Sequence, residues 1–237
     1  MPHSRIFFPE TLQTGQTVGL NDQAVKHIQV LRLQPSQTVE LFNGNGLAYL
    51  ARIERMGKHT VDVLVTEQLP AQAPAACRTH LVVSMPANER MDWMIEKATE
   101  LGVSRIVPVE TIRSERGLRQ AAGKRIDRWR KIALEASQQS RRAFLPEIEE
   151  PVSLTSALAI EAEHRYVLDE ECHSGKLESG AQSVAILLGP EGGWTPEERA
   201  TFGAWTSVTL GPLILRAETA AMAALAIVSQ SGWYTGS

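Results

Sequence analysis

Val184-Ala-Ile-Leu-Leu-Gly-Pro-Glu-Gly-Gly-Trp-Thr-Pro-Glu-Glu198 is the stretch on which the reading of this chain turns. Its apolar run shows no alternation, as expected of a strand covered on both faces in a parallel sheet. Gly189, Gly192 and Gly193 then leave bare backbone that a ligand can approach closely. Thr195-Pro196-Glu197-Glu198 reads as a helix start, with Thr195 as N-cap, Pro196 where a missing N–H costs nothing, and Glu198 closing a capping box.

A second stretch, Val208-Thr-Leu-Gly-Pro-Leu-Ile-Leu-Arg-Ala-Glu-Thr219, repeats the logic: a short strand, a Gly211-Pro212 bend, and an alanine-rich helix from about Ala217. Two such bends at strand ends suggest a pocket lined by backbone. A P-loop is excluded because no lysine follows the glycines, and the Gly-x-Gly-x-x-Gly dinucleotide pattern is absent. Glu191 at the mouth opposes phosphate, so a neutral or cationic, adenosine-like ligand fits better. The competing reading is two ordinary tight turns, since glycine and proline punctuate most loops.

Leu188-Gly-Pro-Glu-Gly-Gly193 and Leu210-Gly-Pro-Leu-Ile-Leu-Arg-Ala-Glu-Thr219 resemble the two C-terminal motifs of the RsmE family, the 16S ribosomal RNA uridine-N3 methyltransferases of the SPOUT (α/β-knot) superfamily. The resemblance implies an α/β fold: a C-terminal trefoil-knotted SPOUT methyltransferase domain behind a small N-terminal PUA-like β-barrel. It also implies that S-adenosylmethionine is held by Leu188, Gly189, Pro190 and Gly192 of one bend and by Leu210, Gly211, Leu215 and Thr219 of the other. Homodimerisation, with the cofactor site at the subunit junction, belongs to the same expectation.

Composition is that of an ordinary globular chain: 237 residues, 43% hydrophobic and 22% charged. No apolar run reaches the length of a membrane span, and the first residues lack the apolar core of a secretory signal. Two cysteines are too few for a disulfide framework and no metal cluster is expected, so the default setting is a reducing cytoplasm. The net charge of −3 hides an asymmetry, since residues 105–142 hold eleven Lys/Arg against four Asp/Glu. A one-signed excess of this kind points to phosphate contacts.

Along the chain, residues 1–70 read as a β-rich module. Strands at 37–42 and 47–55 flank an Asn43-Gly-Asn-Gly46 turn, and an alternating Thr60–Val65 strand follows. Asp22–Leu33 reads as either a short helix or a strand. Residues 71–78 form a proline- and alanine-rich linker. From residue 79 to 237 strands and helices alternate, as in a mostly parallel sheet. A helix capped by Asn88 buries Met91, Met94, Ile95, Ala98 and Leu101 and stops at Gly102. Lys97-Ala-Thr-Glu-Leu-Gly-Val103 resembles a further motif of the family, although for Lys97 and Glu100 a solvated helix face is the plainer reading. Arg119–Arg142 reads as one long helix with Ile126, Trp129, Ala133 and Ala136 turned inward. At its end, Gln138-Gln-Ser-Arg-Arg142 resembles a family motif, with Gln138 standing where an acidic residue is usual. The RNA contacts expected are Arg5, Arg32, Arg128, Gln139, Arg141 and Arg142, and the resemblance implies that the RNA is 16S ribosomal RNA, either within the assembled 30S subunit or as naked RNA. After Thr219, the small residues of 220–230 suit either a helix–helix interface or ordinary core packing.

Uracil N3 is a poor nucleophile while protonated. The chemistry therefore calls for a group that stabilises negative charge on O2, N3 and O4, and a planar, permanently charged arginine suits it. Arg216 is the first candidate and Arg142 the second. Glu218 is either the proton acceptor or a partner for the positive end of the following helix; loss of the proton to solvent is the alternative. Two other functions compete: a ribose 2′-O-methyltransferase on a related knot, and a non-catalytic RNA- or nucleotide-binding protein.

Overall fold

The computed structural model describes residues 3–86, 88–114 and 125–233. They divide into two compact units, the first of Met1–Pro74 with Ser137–Leu145, the second of Ala75–Ala136 with Pro146–Ser237.

In the first unit, strands β1 (Ser4–Phe7), β2 (Thr17–Gly19), β3 (Thr38–Phe42), β4 (Ala48–Met56) and β5 (Val61–Gln68) make one sheet in the order β1-β3-β4-β5-β2. The antiparallel β3–β4 pair follows the Asn-Gly turn, where Gly44 and Gly46 take positive φ values of 84° and 96° that a tight hairpin requires. β1 and β2 are the two ends of this order, so the expected barrel is partly open among the described residues. The ambiguous Asp22–Leu33 segment is a helix, α1 (Asp22–Val30). Asn21 caps it by accepting from Ala24 N at 2.9 Å, and Ala24, Val25 and Ile28 are its buried face. Residues 143–145 run beside the Asn-Gly turn, with Leu145 N donating to Gly44 O and Gly46 N to Ala143 O.

The second unit is built on a parallel sheet. Strands β6 (Arg78–Ser84), β7 (Arg105–Glu110), β8 (Glu147–Ile148), β10 (His164–Leu168), β11 (Ser183–Leu188) and β12 (Thr206–Val208) lie in the order β12-β10-β11-β6-β7-β8, and β9 (Val152–Ser153) pairs with β7. Its central strands are buried on both faces, which explains their unbroken apolar runs: Val184 to Leu188 of β11 are all buried. Helix α2 (Asn88–Glu100) presents Met91, Met94, Ile95 and Ala98 to the core, and Gly102 at φ 84° ends the segment. Helix α3 (Ile126–Gln139) buries Ile126, Trp129, Ala133 and Ala136 as its spacing predicts. It stops at Gln139, three residues short of the predicted end, because the chain turns through Arg141 at φ 59°. Residues 119–124 of the predicted helix lie outside the described residues. Two short helices, α4 (Leu154–Leu158) and α5 (Pro196–Arg199), precede the last, α6 (Ala217–Trp233). Ala220, Ala221, Ala224, Leu225 and Val228 of α6 are buried in the same core as α2, β6 and β11, so its small residues serve packing within the unit. No helix of the described residues is long and apolar enough to cross a membrane.

Candidate active site

The carboxyl ends of β10, β11 and β12 face the same way, and the loops leaving them surround a cleft of about 880 Å³. Ligands of parallel α/β sheets characteristically sit in such a place. The first loop is Asp169–His173, the second is Gly189–Gly193, and the third runs from Thr209 to Arg216.

Local chemistry explains the shape of the second loop. Thr195 and Glu198 form the predicted capping box: Thr195 Oγ1 accepts from Glu198 N at 3.2 Å and Glu198 Oε2 accepts from Thr195 N at 3.0 Å. The buried Glu198 carboxylate also accepts from Ile112 N at 2.8 Å, which fastens the helix start to the segment after β7. Trp194 folds back beneath Gly189, where a Cβ would lie 2.7 Å from the indole. Gly193 takes φ 72°, and its neighbour Gly192 offers a carbonyl to the Arg113 guanidinium. Bound from behind in this way, the bend keeps bare backbone on its cleft side.

The first loop is acidic, and Arg199 of α5 neutralises it. Its guanidinium pairs with Asp169 at 3.0 Å, Glu170 at 2.9 Å and Glu171 at 3.0 Å, and donates to Trp194 O at 2.8 Å. These opposite charges hold the Arg199 pKa above its ordinary value, Asp169 first among the causes. In the third loop, Gly211 has φ 128° and open space where a side chain would stand. Thr209 Oγ1 steadies the turn by accepting from Gly211 N at 3.2 Å and donating to Gly211 O at 3.0 Å.

Of the residues expected to hold a cofactor, Leu188, Gly189, Pro190, Gly192, Leu210, Gly211 and Leu215 line this cleft. Thr219 is exposed and is not among the lining residues. Arg216 lines the cleft, is exposed, and has no ion pair among the described residues. Glu218 does not line it; one of its carboxylate oxygens is buried without a hydrogen-bond partner among the described residues. Arg142 belongs to the first unit, where its Nε donates to Phe144 O and burial lowers its pKa to about 10.

The expected RNA contacts separate in the same plain way. Arg32, Gln139 and Arg128 are exposed, Arg128 also pairing with Asp92 at 2.7 Å. Arg5 is not at the surface. It is 5% exposed, paired with Glu40 at 2.8 Å and set 4.2 Å above the Phe42 ring, because a strand residue pointing into the sheet's packed face must find a counter-charge there. Arg141 pairs with the same Glu40. Arg90, in the first turn of α2, was missed: it lines the cleft and forms an ion pair with Glu191. Nothing in its local sequence signals this, since the partner is 101 residues away.

A family model described as an RNA methyltransferase domain matches residues 73–229, and one described as an RNA methyltransferase PUA domain matches residues 20–66. The chain belongs to the RsmE family of RNA methyltransferases. It is 31% identical to the ribosomal RNA small subunit methyltransferase E of Aquifex aeolicus, over 94% of this chain and 98% of that one. Among solved structures, the ribosomal RNA small subunit methyltransferase E of Neisseria gonorrhoeae, bound to S-adenosyl methionine, is 33% identical with a TM-score of 0.86, covering 94% and 95% of the two chains. A Legionella pneumophila protein solved in complex with SAM is 30% identical with a TM-score of 0.91, covering 96% and 97%. The fold is accordingly that of the family: an α/β-knot methyltransferase domain with a PUA-like domain at the N-terminal end.

Proposed function

We propose that this chain methylates N3 of a uridine in 16S ribosomal RNA, using S-adenosylmethionine bound in the cleft. The observation that carries this reading is the convergence of two glycine-rich bends, from separate strands of a family methyltransferase domain, on one cleft that Arg216 also lines.

The residues present suit the cofactor. Bare backbone at Gly189, Gly192 and Gly211 permits close approach, and Leu188, Leu210 and Leu215 offer apolar surface for an adenine. When bound, S-adenosylmethionine supplies an electrophilic methyl group on a sulfonium. The protein's part is to hold the acceptor in line with that methyl, exclude water, and stabilise the charge left when N3 loses its proton. Arg216 is assigned the last of these roles, because its guanidinium is free among the described residues and can fork onto a carbonyl edge of the uracil. Glu218 sits in the first turn of α6 away from the lining, so it is assigned to the positive helix end, and the N3 proton passes to solvent.

The same reading gives the chain a homodimeric, cytoplasmic setting, with 16S ribosomal RNA in the 30S subunit as substrate. Trp93 and Ile227 support the dimer: both are more than 40% exposed, on the mutually packed helices α2 and α6. Arg32, Arg128 and Gln139 are kept as RNA contacts; Arg5 is dropped.

The test is to incubate the protein with methyl-labelled S-adenosylmethionine and 16S ribosomal RNA, naked and in 30S subunits, and to identify the labelled nucleoside by mass spectrometry. 3-Methyluridine is the expected product. A 2′-O-methylated nucleoside would transfer the assignment to ribose, and no label with no cofactor binding would leave only an RNA-binding role.

A further inference from the structure

The cleft contains a charge pair that the methyl-transfer reading does not use. Arg90 at the start of α2 and Glu191 at the tip of the Gly189–Gly193 bend both line the cleft and are joined by an ion pair across its edge. Their side chains are 39% and 52% exposed. A pair so open to water adds little to stability. Its placement therefore calls for another explanation.

The other charged groups of the lining are differently disposed. Asp169 and Glu170 are both claimed by Arg199, which is not a lining residue. Arg216 stands without a carboxylate partner among the described residues. Among the described residues, only at Arg90–Glu191 do a cation and an anion of the lining form an ion pair with each other. A ligand that complements such a pair must carry an anion and a cation close together itself. The α-amino-acid end of S-adenosylmethionine does, with carboxylate and ammonium on one carbon.

We propose that Arg90 and Glu191 receive this end of the cofactor, Arg90 binding the α-carboxylate and Glu191 the α-ammonium. The inference rests on the cofactor reading above and deepens it. In the free protein the two side chains satisfy each other. On binding, each exchanges its protein partner for a ligand partner of the same sign, so no charge is left uncompensated and little new desolvation is incurred. The adenosine portion is left to the glycine bends and the apolar lining. Arg90 and Glu191 are thus binding residues for the tail rather than participants in methyl transfer.

The experiment compares two ligands that differ only in that tail. S-Adenosylhomocysteine carries it; 5′-methylthioadenosine has the same adenosine and a thioether but no amino acid. Calorimetric titrations of each are made into wild-type protein, Arg90→Ala, Arg90→Lys and Glu191→Gln. The loss of one charge-assisted contact is expected to weaken S-adenosylhomocysteine about ten-fold or more in Arg90→Ala and Glu191→Gln, with partial recovery in Arg90→Lys. Methylthioadenosine should bind all four proteins alike, within about two-fold, since the contact removed is one it never makes. Equal weakening of both ligands would overturn the assignment and mark general damage to the cleft. Unchanged S-adenosylhomocysteine affinity would overturn it too, leaving the pair as a surface contact. If the wild type binds neither ligand, the cofactor reading itself fails, and the inference with it.

Discussion

The indole Nε1–H of Trp194 donates to the carbonyl of Leu168 over 3.1 Å, joining the loop after β11 to the last residue of β10. The ring is 1% exposed, meets Phe202 edge-on at 5.0 Å, and lies directly under Gly189. One side chain thereby sets the relative position of two of the three loops around the cleft. Trp194→Phe would keep much of the packing but leave the Leu168 carbonyl without its donor, a loss of about 1–3 kcal/mol. Trp194→Ala would add a cavity and cost about 3–5 kcal/mol. Urea denaturation measures both, and equal stability of the three proteins would remove Trp194 from this role.

The Arg5–Glu40 pair makes a separate prediction for the first unit. Both side chains are under 10% exposed, so Glu40→Ala would strand a buried guanidinium and destabilise the protein by about 3–5 kcal/mol. Replacing both residues with apolar ones of similar volume should recover most of that loss. Denaturation of the single and double variants decides the matter, and a mild single variant would contradict the burial.

His80 gives the fold a pH dependence. It lies on β6, 7% exposed, and its Nδ1 has no hydrogen-bond partner among the described residues. Burial first, then the charges of Arg105 and Arg78, hold its pKa below the ordinary 6.5. The unfolded chain therefore takes up this proton at a higher pH than the folded one. Stability from His80 is complete above about pH 6.5 and declines as the pH falls towards the lowered folded value. His80→Leu should flatten the fall in stability below about pH 6.5 without creating one above it. Thermal melts across that range, wild type against variant, measure the difference.

Arg216→Ala separates chemistry from binding. If its guanidinium stabilises the uracil anion, single-turnover methyl transfer should fall about 10²–10³-fold. Cofactor affinity should stay within a few-fold, because the bends that hold the cofactor are untouched. Intact turnover would exclude the role.

Much of this was legible in the sequence for a local reason. The bends at Gly189–Gly193 and Gly211-Pro212, the Thr195/Glu198 capping box and the buried faces of α2 and α3 depend on residues within a few positions of one another. Pairings across the chain were not legible. Nothing near Arg5 shows that Glu40 will bury it, nothing near Arg90 points to Glu191, and the stop of α3 depends on Arg141 adopting a positive φ that non-glycine residues seldom take. Arg142 shows the same limit. Its motif lies at the end of the basic helix, yet the residue folds back on Phe144 in the first unit.

The most direct measurement is a calorimetric titration of S-adenosylmethionine into the wild type and into Gly189→Val, with thermal melts to show that both are folded. A β-branched side chain at 189 must displace the buried Trp194 ring behind the bend and so shift the bend's backbone out of place. The wild type should bind one cofactor per chain, and the variant at least about ten-fold more weakly. No binding by the wild type, or equal binding by a folded variant, would contradict the claim that these bends hold the cofactor.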